Sequence, residues 1–376
     1  MKAMNCRVCG GKLFNEPLLH YENMPKAAQF LPDAKSLKND KGIRLEIYQC
    51  SGCGLVQLTN NPVSYFKEVI RAVGISKEMK KFRLRQFHNF VQKYSLQGKK
   101  VIEIGCGQGE YLSLMRQCEV QAYGLEVAQK SVTVCKKKGL RTIKGFIDSP
   151  TRTLPNAPFN AFFMLNFLEH LPEPNSTLGG IYNNLSDGAV GLVEVPNFDM
   201  ILHNNLFSEF ILDHLFYFTE KTLKMTLELN GFDLLESKTV WQDYIISCVI
   251  RKRSKLDISG FYKHQVKITK DIEKYIGNYK NGKVAIWGAG HQALTIISLI
   301  NVADKIRYVV DSAPFKQNKY TPVNHIPIVS PDALKSDPVD AIIIMAASYS
   351  DEVVKIIRNE FNNKIDIVIL RNDGLK

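Results

Sequence analysis

Residues 99–126 constrain the fold more tightly than any other stretch of this chain. Lys99-Lys100-Val101-Ile102-Glu103-Ile104 reads as a short buried strand and Gly105-Cys106-Gly107-Gln108-Gly109 as a glycine-rich turn. An amphipathic helix follows from Glu110 to Arg116, and a second strand, Ala122-Tyr123-Gly124-Leu125-Glu126, ends in an acid. Strand, glycine turn and helix in that order make half of a parallel α/β unit, whose turn lets backbone amides approach a ligand closely.

Three details choose the ligand. The glycines fall as GxGxG and not GxGxxG, so the helix is not arranged to receive a pyrophosphate on its first turn. Glu103 precedes the loop, where a carboxylate suits a cationic amino acid end and opposes a pyrophosphate. Glu126 stands where a carboxylate accepts both hydroxyls of a ribose. The set predicts S-adenosylmethionine, held by Glu103, Gly105, Cys106, Gly107, Gly109, Glu126 and Val127. Phe146, in Gly145-Phe146-Ile147-Asp148, is placed to flank the adenine, although a plain loop explains it equally well. Phe159–Asn166 reads as a further strand whose end brings Asn166 and Phe167 to the same carboxyl edge. Gly191–Val195 is another, Leu223–Leu229 a helix, and Gly231-Phe232 opens a last hairpin that closes with Ile245–Ile250.

Cys6-Arg7-Val8-Cys9-Gly10 is matched by Cys50-Ser51-Gly52-Cys53-Gly54. Two CxxC knuckles are how small modules offer four thiolates to a tetrahedral zinc, and four sulfurs leave no open position for a reacting water. Cys6, Cys9, Cys50 and Cys53 are therefore expected to hold a structural Zn2+. Two disulfides are disfavoured in a reducing compartment, and a redox CxxC lacks its βαβ setting. Cys106, Cys118, Cys135 and Cys248 stand singly, as core residues do.

The chain has 376 residues, enough for two or three domains, with 45% hydrophobic and 23% charged residues. These values exclude disorder and a small disulfide scaffold. The longest apolar run, Ala341–Ala347, is too short to span a membrane, and the N-terminus lacks the apolar region of a secretory signal. A cytoplasmic protein with no membrane partner is expected. Lys+Arg (49) exceed Asp+Glu (37) by 12. The excess clusters in Lys80–Arg85, Lys136–Lys138 and Arg251–Arg253, but no nucleic-acid-binding motif accompanies it. Interrupted basic runs of this kind are usually solvated helix faces, and the charge alone does not choose between these and an acidic partner such as a phosphorylated small substrate. Residues 64–95 show helical spacing, with Arg71 in the first part and Lys80–Arg85 in the second.

Asp213-His214 precedes the aromatic run Leu215-Phe216-Tyr217-Phe218, and Thr219 reads as the N-cap of the next helix. An acid beside an imidazole in apolar surroundings suits proton transfer near neutral pH, although a packed histidine is an equal alternative. Arg251–Lys255 reads as a linker, followed by a helix to about Tyr279 and a second α/β unit. Its glycine turn, Gly288-Ala289-Gly290-His291, carries two glycines of a dinucleotide fingerprint, with Ala293 at the third position. It fits a degenerate nucleotide-binding half that lines a substrate site, with a dinucleotide of its own as the alternative.

This order of parts resembles the three-domain sugar C-methyltransferases that act on nucleotide-linked keto-deoxysugars. The resemblance rests on the Cys pairs, Cys53–Leu58, Glu103–Gly109, Asn166 to His170, Glu194-Val195-Pro196, Asp213-His214 and Gly288–Gly290. It implies an α/β fold with a zinc module (1–62), a class I methyltransferase domain (63–255) and a C-terminal Rossmann-like domain (256–376) without its own cofactor. The family's Tyr-x-Glu-His falls on Ile211, Leu212, Asp213 and His214, so Asp replaces Glu and the Tyr is missing; Tyr217 is the nearby candidate. A second family histidine falls on His170. The expected roles are His214 as base, Asp213 orienting it, and His170 stabilising an enolate oxygen. Arg71, Tyr217, Gly288, Gly290, His291 and Lys316 are expected around a nucleotide sugar. O- or N-methylation is the alternative activity, and a monomer or dimer the expected assembly.

Overall fold

The computed structural model describes residues 5–29, 31–68, 75–280, 282–300, 302–361 and 364–376. It divides into two compact units, Met1–Lys255 and Leu256–Lys376. The first opens with a small antiparallel sheet of β1 (Leu19–Met24), β2 (Ile43–Gln49) and β3 (Val56–Leu58). A two-residue strand from much later in the chain, β9 (Phe216–Tyr217), joins its β3 edge. Residues 1–62 therefore close onto the rest of the unit: Leu45, Leu55 and Leu58 share one core with Ile104, Phe162 and Val193.

Of the helix expected over 64–95, α1 (Lys77–Lys93) forms. Ser76 caps it, its hydroxyl accepting from Met79 N at 3.1 Å, and Phe87, Phe90 and Val91 face inward. Residues 64–67 are instead a turn, closed by Glu68 N to Tyr65 O at 2.8 Å. Val69, Ile70, Arg71 and Val73 lie outside the described residues.

The large sheet contains β4 (Lys100–Ile104), β5 (Gln121–Glu126), β6 (Arg141–Lys144), β7 (Phe159–Leu165), β8 (Leu185–Pro196), β10 (Phe232–Val240) and β11 (Ile245–Lys252). Its order is β6-β5-β4-β7-β8-β11-β10, parallel from β6 to β8, with β11 antiparallel to both neighbours. Alternate residues feed two cores: Ile102 and Ile104 face one, and Val101 faces the other. Strands buried on both faces in this way need helices on both sides. These are supplied by α1, α2 (Glu110–Arg116), α3 (Gln129–Lys137), α4 (Pro174–Asn183), α5 (Phe198–His203) and α6 (Glu220–Leu229). The expected linker at 251–255 starts two residues inside β11.

The chain leaves β4 toward β5 on one side and returns to β7 on the other. That reversal opens a crevice at the carboxyl ends of β4 and β7, where ligands of such sheets bind. The second unit repeats the scheme. α7 (Ser259–Ile276) leads into β12 (Val284–Trp287), α8 (His291–Leu299), β13 (Ile306–Val310), β14 (Lys319–Tyr320), β15 (Pro327–Val329) and α9 (Ala333–Ser336). β16 (Ala341–Ile344), α10 (Ser350–Glu360), β17 (Asp366–Arg371) and β18 (Gly374–Leu375) complete it. The order is β14-β15-β13-β12-β16-β17-β18, reversing at β12. Among the described residues no helix is long and apolar enough to cross a membrane.

Candidate active site

Gly105, Gly107 and Gly109 all adopt left-handed backbone, with φ of 72°, 51° and 81°. A side chain at Gly109 would also collide with Leu140. The turn is tied down by Glu126, whose Oε2 accepts from Gly107 N at 2.8 Å and whose Oε1 accepts from Ala128 N at 2.8 Å. Burial nonetheless raises the Glu126 carboxyl above the ordinary carboxylate range, against the lowering pull of these amides. Glu103 is buried at the end of β4. Cys106 contributes only backbone here, since its thiol packs into the core with Leu112 and Cys135.

Five of the residues expected at the cofactor line one narrow crevice: Gly105, Glu126, Val127, Phe146 and Phe167. Ile104, Leu125, Gly145, Ile147, Lys67 and Thr177 complete its walls, and of these Lys67 and Thr177 were not anticipated. Lys67 Nζ lies 4.9 Å from the centre of the Phe146 ring. Phe167 also lines a second cavity of about 630 Å³, so this residue is common to crevice and cavity. Asn166, His170, Asp213 and His214 line that cavity, joined by Tyr65, Arg83, Tyr111 and Glu169. Asn166 has a φ of 49°, and its Oδ1 is buried with no hydrogen-bond partner among the described residues.

The histidine pair departs from expectation in its supports. Asp213 does not orient His214. Its Oδ1 accepts from the Tyr65 hydroxyl at 2.6 Å and its Oδ2 from Ala28 N at 3.1 Å. The Asp213 backbone carbonyl instead lies 2.7 Å from His170 Nδ1. The His170 and His214 rings meet edge to face, 4.9 Å between centres. Burial, and then the neighbouring His170, hold His214 down to about 3, so its imidazole is neutral. Burial lowers His170 too, despite the Asp213 carbonyl. Glu169, beneath them, is pushed up to about 8 by burial.

Tyr217 does not reach the cavity. It is buried in β9, and its hydroxyl is held by Ile211, donating to the carbonyl at 3.3 Å and accepting from the amide at 3.1 Å. Tyr65, Tyr111 and Tyr244 do line the cavity, and the one bonded to Asp213 is Tyr65. No local pattern marks it. Glu169 was visible as the one acid in the apolar run Phe167–Leu171. Arg83 had been grouped with a solvated basic run, yet it is fully buried in an ion pair with Glu194.

At the N-terminus Cys6 and Cys53 sulfurs lie 3.8 Å apart, and Cys9 and Cys50 sulfurs 3.5 Å. A tetrahedron with Zn–S bonds of about 2.3 Å has edges near 3.8 Å, so the four thiols fit the ion. They are not disulfide-bonded, and the amides of Gly11 and Cys53 point at Cys9 and Cys50 sulfurs at 3.3 and 3.4 Å.

In the second unit Gly288, Gly290 and His291 form the turn from β12 into α8. A side chain at Gly288 (φ 112°) would lie 2.7 Å from Met345 O. The Lys316 ammonium is engaged by Asp311 at 2.9 Å, and Asp311 also accepts from Ala289 N at 2.8 Å.

A glycine turn after the first strand of a doubly wound sheet, an acid ending the second and a cavity at the reversal define a class I S-adenosylmethionine-dependent methyltransferase. Comparison with known proteins agrees. A methyltransferase domain family matches residues 76–237, and a C-methyltransferase C-terminal domain family matches residues 255–369. The C-methyltransferase NovU of Streptomyces niveus is 23% identical over 386 residues, spanning 93% of this chain and 91% of the relative. The chain thus joins a methyltransferase domain to a C-terminal domain of the kind found in C-methyltransferases. A ubiquinone biosynthesis O-methyltransferase of Bordetella avium is 28% identical over 89 residues, covering 22% of this chain and 37% of that protein. A solved S-adenosylmethionine-dependent methyltransferase from Clostridium acetobutylicum superposes with a TM-score of 0.39 at 12% identity, over 50% of this chain and 96% of the other.

Proposed function

We propose that this enzyme methylates a carbon next to the ketone of a nucleotide-linked keto-deoxysugar, with His214 as the base. The observation that supports this most is the neutral His170–His214 pair lining a cavity that shares Phe167 with the cofactor crevice. The bound cofactor supplies an electrophilic methyl on a sulfonium. A sugar carbon is no nucleophile until its proton is removed, and only a carbon beside a ketone gives up that proton readily. A neutral His214 has the free lone pair this needs. His170 Nδ1 donates to the Asp213 carbonyl, which leaves Nε2 as the nitrogen available to an enolate once protonated. Asp213 acts through position, held by Tyr65 and Ala28. Cys6, Cys9, Cys50 and Cys53 hold a structural zinc in this reading, and Gly288, Gly290, His291 and Lys316 serve the nucleotide. We place the enzyme in the cytoplasm.

The test is proton exchange. With the demethylated cofactor product bound, the enzyme should exchange the α-proton of a keto-sugar nucleotide with deuterated water. His214→Ala should lose about 10²–10⁴-fold of that exchange and of methyl transfer. Methylation at oxygen or nitrogen, without exchange, would overturn the proposal in favour of the alternative activity.

A further inference from the structure

Proton transfer alone leaves the surroundings of Glu169 unexplained. This residue is 1% exposed, and neither carboxylate oxygen has a hydrogen-bond partner among the described residues. A buried carboxyl in that condition is costly and calls for a partner. His170 supplies a strict geometric clue. Its Nδ1 lies 2.7 Å from the Asp213 carbonyl oxygen, which can only accept, so Nδ1 carries the proton. Nε2 therefore presents a lone pair, and it lies 3.9 Å from Glu169 Oε1. At 3.9 Å the two atoms are too far apart for a direct hydrogen bond. Ligands about 2.1 Å from one metal lie about 3.4 Å apart at a tetrahedral angle and about 4.2 Å apart when opposite, and the 3.9 Å separation falls between these limits. His214 closes the third side: one donor atom from each of the three residues lies within 4.8 Å of the others. A histidine pinned through Nδ1–H to a backbone carbonyl, with Nε2 free, is also how ligating imidazoles are normally held.

We propose that Glu169, His170 and His214 form a second metal site, distinct from the four cysteines, that takes a divalent cation of the Zn2+ or Co2+ type. Two imidazoles and one carboxylate suit such ions and not Mg2+ or Ca2+, which prefer all-oxygen shells. Three protein ligands leave positions open to the cavity. One consequence rests on the reading of His214 as base: an ion that ligates His214 occupies the lone pair the substrate proton needs, so loading the site switches methyl transfer off.

The probe is Co2+, titrated into the full chain with its cysteine cluster already zinc-loaded, as verified by native mass spectrometry. One further equivalent should bind, giving the visible absorption of Co2+ with nitrogen and oxygen ligands and no thiolate charge-transfer band. Glu169→Gln should weaken that binding by at least about tenfold. Where this variant fails to fold by circular dichroism, His170→Asn carries the same expectation. Absence of a second equivalent, or uptake unchanged in the variants, overturns the site and leaves the base assignment standing. Uptake that leaves turnover unchanged overturns the inhibition and the base assignment, while the site stands.

Discussion

Glu126 offers the most direct test of the cofactor site, because one carboxylate does two jobs there. It is 2% exposed, and it joins the glycine turn to the end of β5 through Gly107 N and Ala128 N, both at 2.8 Å. It also faces the crevice where a ribose diol would sit. Glu126→Ala removes both amide acceptors. Hydrogen bonds to a charged group contribute about 1.5–3 kcal/mol each, so the turn loses about 3–6 kcal/mol of organisation. Other ties remain, Gly105 N and Cys106 N to Leu125 O at 3.0 Å and Gly109 N to Cys106 O at 2.9 Å, so the turn is loosened around Gly107 and not lost. The ribose hydroxyls lose their acceptor as well, a further loss of the same size. Even if only about 3 kcal/mol appears in binding, affinity for S-adenosylhomocysteine falls about 100-fold. Glu126→Gln keeps a carbonyl that can accept one amide, so it should fall between the two.

Isothermal titration of S-adenosylhomocysteine into the three proteins measures this ordering. The carboxylate form accepts the hydroxyls, and burial raises its pKa. Wild-type affinity should therefore decline on acidification at a higher pH than an ordinary glutamate would cause, and Glu126→Gln should lack that decline. If Glu126→Ala binds within about threefold of wild type, the turn is not organised by this residue and the account of the cofactor site is wrong.

Arg83→Met should destabilise the protein by about 3–5 kcal/mol in urea unfolding, since Glu194 is left buried without its counter-charge and with Gln86 Nε2 as its remaining donor; adding Glu194→Gln should recover much of that loss. Tyr65→Phe removes the 2.6 Å bond to Asp213 and should cost about 1–3 kcal/mol, read as a lower midpoint in the same assay. Chelation should release one zinc per chain, measured colorimetrically, and lower the melting temperature; Cys9→Ser should lose most of that zinc.

Local chemistry was legible in the sequence, and convergence was not. The strand, the glycine turn and the helix over Glu110–Arg116 form where the residues indicate, because glycine conformation and apolar period act over a few residues. Thr219 caps α6 for the same reason. Asp213 and His214 misled because they are neighbours in sequence. Consecutive side chains diverge along an irregular backbone, and here the useful atom of Asp213 toward the histidines is its carbonyl oxygen. Tyr65 lies 148 residues before Asp213, so only the folded sheets bring its hydroxyl to the carboxylate. Arg83 looked like part of a solvated run because Lys80, Lys81 and Arg85 surround it. On α1 it alone of the four turns inward, and what decides this is the Glu194 carboxylate at the end of β8.

The small N-terminal sheet ties the cysteine cluster to the loop that carries His214. Cys50 and Cys53 bracket the turn between β2 and β3, and β3 is only three residues long. Pairing with β2 and the buried side chains of Val56 and Leu58 hold this strand, and the turn that the cluster fixes sets where it begins. β9 pairs with it, Val56 facing Tyr217 and Gln57 facing Phe216, and Leu58 N donates to Leu215 O at 2.9 Å. Leu215 directly follows His214. Fixing the sulfurs therefore fixes the register of β3, and β3 fixes the loop that carries the imidazole. Tyr65, seven residues beyond β3, reaches the same loop through Asp213. A cluster that only added stability could sit anywhere in the unit. This one is wired by backbone hydrogen bonds to the residue proposed as base, so loosening it should displace His214 before it unfolds the large sheet.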